Sequence, residues 1–208
     1  MGELQSVIKE RRSAMKFQND VKISKEELFQ MFTMNKHAPS AFNLQHTHYV
    51  VLSTPEEKEI AYEASGQYKV QTASAVIIVL GDTKAYQQVG RINEGMLTLG
   101  MISQIEYDLE TNSVTEMYET RGPVFQREEA IRNASLSAMQ FMLIAKDIGW
   151  DTCPMIGYEE AQLASRLELP ANLIPVMMIT LGKMDGSKVR PRGYRKPVDE
   201  FVTWNSMS

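Results

Sequence analysis

Two clusters of basic residues, one near each end of the 208-residue chain, carry the side chains best suited to bind an anion. The first is the segment RRSAMKF (11–17), and the second is RPRGYRKP (190–197). A guanidinium group presents several N–H donors in a rigid fork, which matches a phosphate or the edge of a planar amide. We therefore predict that both ends of the chain converge on one small anion. The alternative reading is that both clusters are solvated surface.

The charge distribution follows the same division. Residues 1–25 hold six Lys and Arg against three acids, residues 183–197 hold six against one, and residues 94–129 hold eight acids against two bases. The formal net charge of −4 is therefore the sum of an acidic middle and two basic ends. A negative total argues weakly against a general nucleic-acid binder.

Three further segments carry groups suited to a planar heterocycle. In APSAFNLQ (38–45), here called the amide loop, Pro39 fixes the backbone, small residues allow close approach, and Asn43 and Gln45 donate and accept hydrogen bonds. GQYKVQTAS (66–74) offers Gln67 and Lys69. CPMIGYE (153–159) predicts a strand-to-helix turn whose backbone N–H groups face a ligand. Taken singly, each of these segments also fits an ordinary loop.

The strands that must position these residues are scattered along the chain. HYVVL (48–52), ASAVIIVLGD (73–82), a short segment through Cys153, and IPVMMITLG (174–182) read as strands. The second is a continuous β-branched run, as expected for a strand buried on both faces. Because these strands do not alternate in regular βαβ units, we predict an α+β sandwich with a mostly antiparallel sheet.

Helices flank and cross this sheet. Ser24 with Glu27, and Thr54 with Pro55, mark two helix starts. Helical apolar spacing runs from 91 to 109, Gly122-Pro123 is a break, and a long helix follows from Glu128 to Ile148. Its second half is apolar almost all round, which predicts a central, buried helix. A further helix is expected near 159–167, and no linker divides the chain, so we predict one domain over residues 1–208.

Several classes of site and protein are disfavoured by what the sequence lacks. It contains no GxGxxG, GxxxxGK[ST], HExxH or GxSxG motif. A single cysteine, Cys153, excludes a multi-thiolate metal site and is best read as a buried structural thiol. His46 and His48 lack convincing further ligands, so no metal is predicted. Without an apolar run of about 20 residues or a signal-peptide pattern, we predict a cytoplasmic protein with no membrane partner.

The ordered set of segments resembles the FMN-dependent nitroreductase family over nearly the whole chain. That set is RRS…F, APSAFNLQ, Q-x-K before TASAVIIV, P-x-x-G-Y and a basic C-terminus. The resemblance implies an α+β fold, an intertwined homodimer with FMN at the subunit interface, and reduction of the flavin by NADH or NADPH. It also implies that a C-terminal arm, about 190–208, reaches the partner subunit.

The resemblance assigns cofactor-binding residues by motif. It places the amide-loop residues on the flavin of the partner subunit, Gln67 and Lys69 beside the pyrimidine ring, and the 154–157 backbone opposite flavin N5. The implied set is Arg11, Arg12, Ser13, Pro39, Ser40, Ala41, Asn43, Gln67, Lys69, Pro154, Met155, Ile156, Gly157, Arg192 and Arg195. No side chain is implied as a catalytic residue, because the flavin carries the chemistry. Ile156 stands where some relatives have Glu, so only the backbone role carries over.

Met15 departs from the family pattern. Relatives usually have Lys or Arg there, close to the flavin N1/O2 edge, where reduction concentrates negative charge. We hypothesise that Lys69 supplies the missing cation, and that Lys16 is the less suitable candidate because it should point to the other side.

The resemblance implies ping-pong reduction of a nitroaromatic, a quinone or a similar electron-poor acceptor. Two alternatives remain: an FMN enzyme with a different acceptor, such as an enal reductase or a dehalogenase, and a protein that binds or sequesters flavin without turnover. Tyr107, Tyr118 and Phe125 are candidate residues for the acceptor pocket. The sequence does not choose between NADH and NADPH. It has no Rossmann motif, whose acidic residue would bind the ribose of NADH or whose arginine would bind the 2′-phosphate of NADPH.

Overall fold

A four-stranded antiparallel sheet in the order β1-β2-β4-β3 forms the centre of the computed structural model, which describes residues 3–188 and 191–204. The strands are β1 (Thr47–Leu52), β2 (Ala75–Asp82), β3 (Asp151–Met155) and β4 (Leu173–Gly182). Every residue of β2 from Ala75 to Gly81 is buried. Val76, Ile78 and Leu80 belong to one apolar core, and Ala75, Ile77 and Val79 belong to another. The prediction of a strand covered on both faces is confirmed.

Seven α-helices surround this sheet within the described part of the chain. They are α1 (Glu3–Glu10), α2 (Lys25–Asn35), α3 (Pro55–Ser65), α4 (Tyr68–Thr72), α5 (Val89–Thr98), α6 (Gln104–Asp147) and α7 (Glu160–Arg166). Capping boxes begin α2 at Ser24 and α3 at Thr54, as the sequence predicts. The predicted α+β class, with a mostly antiparallel sheet and a long central helix, is confirmed.

The helical region from 89 to 147 differs from the prediction in two ways. The apolar spacing from 91 to 109 predicts one helix, but the chain turns between α5 and α6, where Gly100 adopts a φ of +68°. Residues 111–121 are polar and nevertheless helical, so α6 extends 44 residues. The break at Gly122 is real: its φ of +75° and the following Pro123 kink α6. Most polar residues of this stretch are exposed, whereas Val114 and Tyr118 are buried and pack the helix against an apolar core.

The second half of α6 packs on the sheet but is not enclosed. Ala134, Ala138 and Phe141 are buried against β2, whereas Leu136 and Met139 remain 47% and 42% exposed. The expectation that the second half of α6 is completely buried is therefore wrong for the single chain. The small residues face the sheet, and the helix comes so close to β2 that a Cβ on Gly81 would lie 2.9 Å from the main-chain oxygen of Ala130.

The first basic segment lies along the outer edge of β3. The Ala14 N–H donates to the main-chain oxygen of Thr152 at 3.0 Å, and Phe17 pairs with Met184 beyond the end of β4. Phe17 is 1% exposed and packs on Gly182, where an added Cβ would lie 2.6 Å from the Phe17 ring. This glycine allows the ring to anchor the segment, and the anchoring fixes Arg11 to Lys16 at the sheet edge.

Candidate functional site

The structure brings the two basic ends together in one cleft of about 630 Å³, here called the arginine cleft. The Arg192 side chain donates from Nη2 to the main-chain oxygen of Arg11 at 2.9 Å and also to that of Lys9. This contact fastens the C-terminal segment to the end of α1. The residues of the two basic segments that line the cleft are Arg11, Arg12, Ser13, Met15, Lys16, Pro191, Arg192, Gly193 and Arg195.

Arg11 is the electrostatic centre of this cleft. Its Nη1 atom is buried and has no hydrogen-bond partner among the described residues. Burial lowers the pKa of Arg11 from its ordinary value, and the positive charges of Arg192 and Arg195 lower it further. A half-buried guanidinium beside two like charges is unfavourable until an anion neutralises it. The cleft is therefore built to receive a negatively charged group.

Met15 and Lys16 both line the cleft, which differs from the expectation that Lys16 points away. The Lys16 ammonium is nevertheless occupied, because its Nζ lies 3.0 Å from Asp185 Oδ2. Hydrogen bonds from Ser187 and Lys16 lower the pKa of Asp185 to about 2, so this carboxylate stays charged. Met15 is 64% exposed and adds no charge at the position where the family has a cation.

Lys69 contacts the buried thiol of Cys153. Its Nζ donates to Cys153 Sγ at 3.3 Å, and the thiol is close enough to Arg11 to influence the pKa of that guanidinium. Cys153 is 3% exposed, so it is the buried thiol that the sequence predicts. Lys69 itself does not line the arginine cleft. Lys69 and Arg11 are thus two cations that the fold brings close to Cys153.

Gln67 is attached to the turn after β3. Its Nε2 donates to the main-chain oxygen of Gly157 at 2.9 Å, and Ile156 beside it is 81% exposed. Pro154 and Met155 are part of β3, paired with Ile179 and Met178, so the predicted turn begins only at Ile156. Pro is tolerated there because β3 is an edge strand, whose outer side needs no donor at that position.

The amide loop does not line the arginine cleft. Pro39 and Ser40 instead line a second cavity of about 520 Å³ together with Phe32, Asn35 and Tyr49. Ala41–Asn43 form a short 3-10 helix, and Phe42, Asn43 and Gln45 all adopt φ values between +51° and +53°. Three non-glycine residues in the left-handed region within four positions store backbone strain, a feature that clusters at functional sites.

A buried set of polar side chains holds this loop, and sequence reasoning missed it. The Ala41 N–H donates to Asn133 Oδ1 at 2.8 Å, and Glu129, Tyr118 and His46 lie behind Asn133. Tyr118 is 1% exposed, so the expectation that it lines an acceptor pocket is wrong. The available signal was the pair Glu129 and Asn133, which are four residues apart and therefore on one face of α6.

Within 3–188 and 191–204, no three His, Cys, Asp or Glu side chains are grouped so that they could hold a metal ion. In the same residues, no helix combines the length and the apolar composition needed to cross a bilayer.

Comparison with known proteins agrees with this geometry. The chain is 51% identical over 205 residues to Bacillus subtilis MhqN, provisionally named an NAD(P)H nitroreductase, covering 98% of this chain and 100% of that protein. It is 31% identical over 185 residues to the CLA biosynthesis enone reductase of Lactiplantibacillus plantarum, covering 87% and 85%.

A solved structure shares the fold over its full length. It is a provisionally named nitroreductase from Exiguobacterium sibiricum, crystallised in complex with FMN. It matches with a TM-score of 0.89 at 30% identity, covering 99% of this chain and 98% of that chain. The model of the nitroreductase family matches residues 8–183. The chain therefore belongs to the nitroreductase family.

Proposed function

We propose that this protein is an NAD(P)H-dependent FMN oxidoreductase. The observation that carries the proposal is the arginine cleft, where a buried Arg11 nitrogen without a partner in the described residues lies beside Arg192 and Arg195. An FMN phosphate carries close to two negative charges and needs at least two cations, preferably with bidentate geometry. The FMN complex of the Exiguobacterium relative supports the same cofactor.

The remaining site residues would hold the flavin ring. Lys69 supplies a positive charge next to Cys153, and Gln67 braces the turn at Ile156 and Gly157. Arg12 and Ser13 complete the phosphate end, since both line the cleft. These residues bind and orient, and none is placed to act as a nucleophile.

The amide loop would act on the cofactor of a second copy of the chain. Pro39 and Ser40 line a different cavity from the arginines, and Ala41 and Asn43 belong to the same loop, so one subunit does not assemble all the predicted binding residues around one cleft. A homodimer that brings the loop of one protomer to the cleft of its partner unites them. This arrangement supports the dimer that the family resemblance implies.

The bound flavin would accept a hydride from NADH or NADPH at N5 and pass reducing equivalents to an electron-poor acceptor in a ping-pong cycle. The protein contributes positioning and a positive electrostatic environment near the pyrimidine ring. A nitroaromatic or quinone acceptor fits this scheme, and the relative named as an enone reductase supports α,β-unsaturated carbonyl compounds as a second acceptor class.

The absorption spectrum of the purified protein tests the proposal directly. We expect a yellow protein that binds FMN stoichiometrically and is bleached by NADH or NADPH under anaerobic conditions. Reoxidation by a nitroaromatic, a quinone or an enone then identifies the acceptor class, and double-reciprocal plots should be parallel. A colourless protein that takes up no FMN would overturn the proposal. Flavin binding without steady-state NAD(P)H oxidation would favour a sequestering role.

The C-terminal arm provides a separate test of the dimer. Val198, Phe201 and Trp204 are 62%, 64% and 80% exposed in the single chain, which is unusual for three large apolar side chains so close in sequence. We expect deletion of residues 197–208 to weaken dimerisation, as measured by sedimentation velocity over a concentration series. Unchanged sedimentation of the truncated protein would contradict the role of the arm.

A further inference from the structure

Asn133 is a buried amide on α6 that contacts the backbone of the amide loop. It is 3% exposed, and its Oδ1 accepts the Ala41 N–H at 2.8 Å. Its Nδ2 donates to the main-chain oxygen of Glu129 at 2.8 Å and to Glu129 Oε2 at 3.3 Å. The side chain therefore has a fixed orientation, with the carbonyl oxygen directed at the loop and the NH₂ group directed along its own helix.

Glu129 continues this arrangement away from the loop. It is 7% exposed, pairs with Arg132, and accepts a hydrogen bond from the Tyr118 hydroxyl at 3.4 Å. The Tyr118 hydroxyl lies 3.4 Å from Nε2 of His46, which directly follows the amide loop. We call Glu129, Asn133, Tyr118 and His46 the buried anchor. A network of buried hydrogen bonds of this kind rigidifies the chain and favours one arrangement of it.

The amide loop needs such an anchor because its own bonds do not fix it against the helix. Ser40 closes the loop on itself, accepting the Asn43 N–H at its main-chain oxygen and the Gln45 N–H at Oγ. The left-handed conformations at Phe42, Asn43 and Gln45 persist only where surrounding structure imposes them. The hydrogen bond from Ala41 to Asn133 connects this strained turn to the central helix.

We infer that Asn133, oriented by Glu129, is a positioning residue that sets the amide loop for the cofactor of the partner subunit. This inference rests on the proposed function for the identity of the ligand. It concerns residues that neither bind the flavin nor line the arginine cleft. The loop is held in its binding conformation before the cofactor arrives, and this lowers the entropic penalty of binding.

The test compares Asn133→Ala with a matched control, Ser74→Ala. Ser74 is also buried, and its hydroxyl also bonds a backbone group distant in the chain, the Val21 oxygen at 2.5 Å, but it is not part of the loop and does not line the cleft. In the cofactor-free protein, we expect amide hydrogen exchange across residues 40–45 to accelerate about tenfold or more in Asn133→Ala and to remain unchanged in Ser74→Ala. In FMN titrations, Asn133→Ala should bind about tenfold more weakly than the control.

A rescue variant separates positioning from simple loss of stability. In Asn133→Asp, one carboxyl oxygen accepts the Ala41 N–H, and the protonated carboxyl group, which the neighbouring Glu129 carboxylate favours, donates to the main-chain oxygen of Glu129. We expect slow loop exchange and FMN affinity to return to within about threefold of the parent protein. Unchanged loop exchange in Asn133→Ala, or an Asn133→Asp variant that folds without restoring the loop, would overturn the inference.

A second variant covers the case in which Asn133→Ala does not fold. Ala41→Pro removes the donor N–H and leaves the anchor intact, and the extended Ser40 backbone (φ −145°, ψ 153°) accommodates a following proline. Exchange at Asn43 and Leu44 should accelerate in this variant, and protection there would contradict the inference.

If the parent protein binds no FMN, the proposed function fails, whereas the exchange measurements still decide the role of Asn133. Faster exchange with unchanged FMN affinity would show a loop anchor without a role in binding.

Discussion

The arginine cleft and the amide loop are two halves of one predicted cofactor site, and the fold builds them in opposite ways. The cleft gathers charged side chains from two distant parts of the chain, and Arg11 Nη1 has no hydrogen-bond partner within the described part of the chain. The loop offers few charges and is held through its backbone by the buried anchor. The positive charges of the cleft are neutralised only when an anionic ligand binds. The loop conformation is instead fixed by hydrogen bonds that are already present in the folded protein. The two halves should therefore respond differently to mutation, salt and pH.

The largest expected effect is on the cleft side. Arg11→Ala should weaken FMN binding by about 10²-fold, or roughly 3 kcal/mol, because a partly buried charged contact to the phosphate is lost. The free energy of unfolding should stay the same or rise, because the change removes a cation flanked by Arg192 and Arg195. FMN titration at two salt concentrations, with urea unfolding, measures both quantities. Arg166→Ala, which breaks an exposed ion pair with Glu63, is the control and should leave FMN affinity unchanged.

The second prediction concerns the loop side, where the free energy of unfolding should depend on pH. Burial lowers the pKa of His46 from 6.5 to about 4, although Asp82 acts in the opposite direction. Between these values the unfolded chain binds the proton and the folded chain does not, so stability falls as the pH falls from 6.5 towards 4. We expect this histidine to account for about 2 kcal/mol of lost unfolding free energy between pH 8 and pH 5. Urea unfolding at both pH values should show a smaller loss in His46→Gln. Equal losses in the two proteins would contradict this assignment.

A smaller effect concerns redox tuning at the Cys153 side of the cleft. Lys69→Ala should lower the flavin midpoint potential by about 30 mV, equivalent to about 1.4 kcal/mol for two electrons, because a cation near the reduced ring is removed. Met15→Lys should raise the potential by restoring the usual family charge. Spectroelectrochemistry of both variants measures the shifts. An unchanged potential together with undiminished FMN affinity in Lys69→Ala would refute the hypothesis that Lys69 replaces the missing cation.

The smallest effect tests the strain in the amide loop. Phe42→Gly should alter the unfolding free energy by less than about 1 kcal/mol, because relief of the left-handed conformation (φ 51°) offsets the loss of apolar packing by the half-exposed phenyl ring. FMN affinity should nevertheless fall, because glycine loosens the loop before binding. Glu168→Gly relieves the same conformation (φ 51°) far along the chain and should leave the affinity unchanged. Equal affinities in the two variants would show that the strain has no role in binding.

Much of the fold and half of the site follow from local sequence patterns. The capping boxes at Ser24 and Thr54, the buried β2 strand and the break at Gly122 depend on residues close together in the chain. The continuation of α6 through residues 111–121 was missed, because only a few apolar residues, among them the buried Val114 and Tyr118, mark the face of the helix that packs on the core. The ion pair between Lys16 and Asp185 was missed because these two residues are brought together by the pairing of Phe17 with Met184.

The sequence by itself determined which chemistry is available: guanidinium groups at both ends, an amide-rich loop, one thiol and no nucleophilic triad. These properties belong to residue types and short spacings, which tertiary contacts do not alter. Only the tertiary structure decided that Arg11 and Arg192 meet, that Lys69 faces Cys153, and that Asn133 holds Ala41. Each of these contacts joins residues 84 to 181 positions apart. Their proximity arises because burial of the sheet and the central helix brings these segments together.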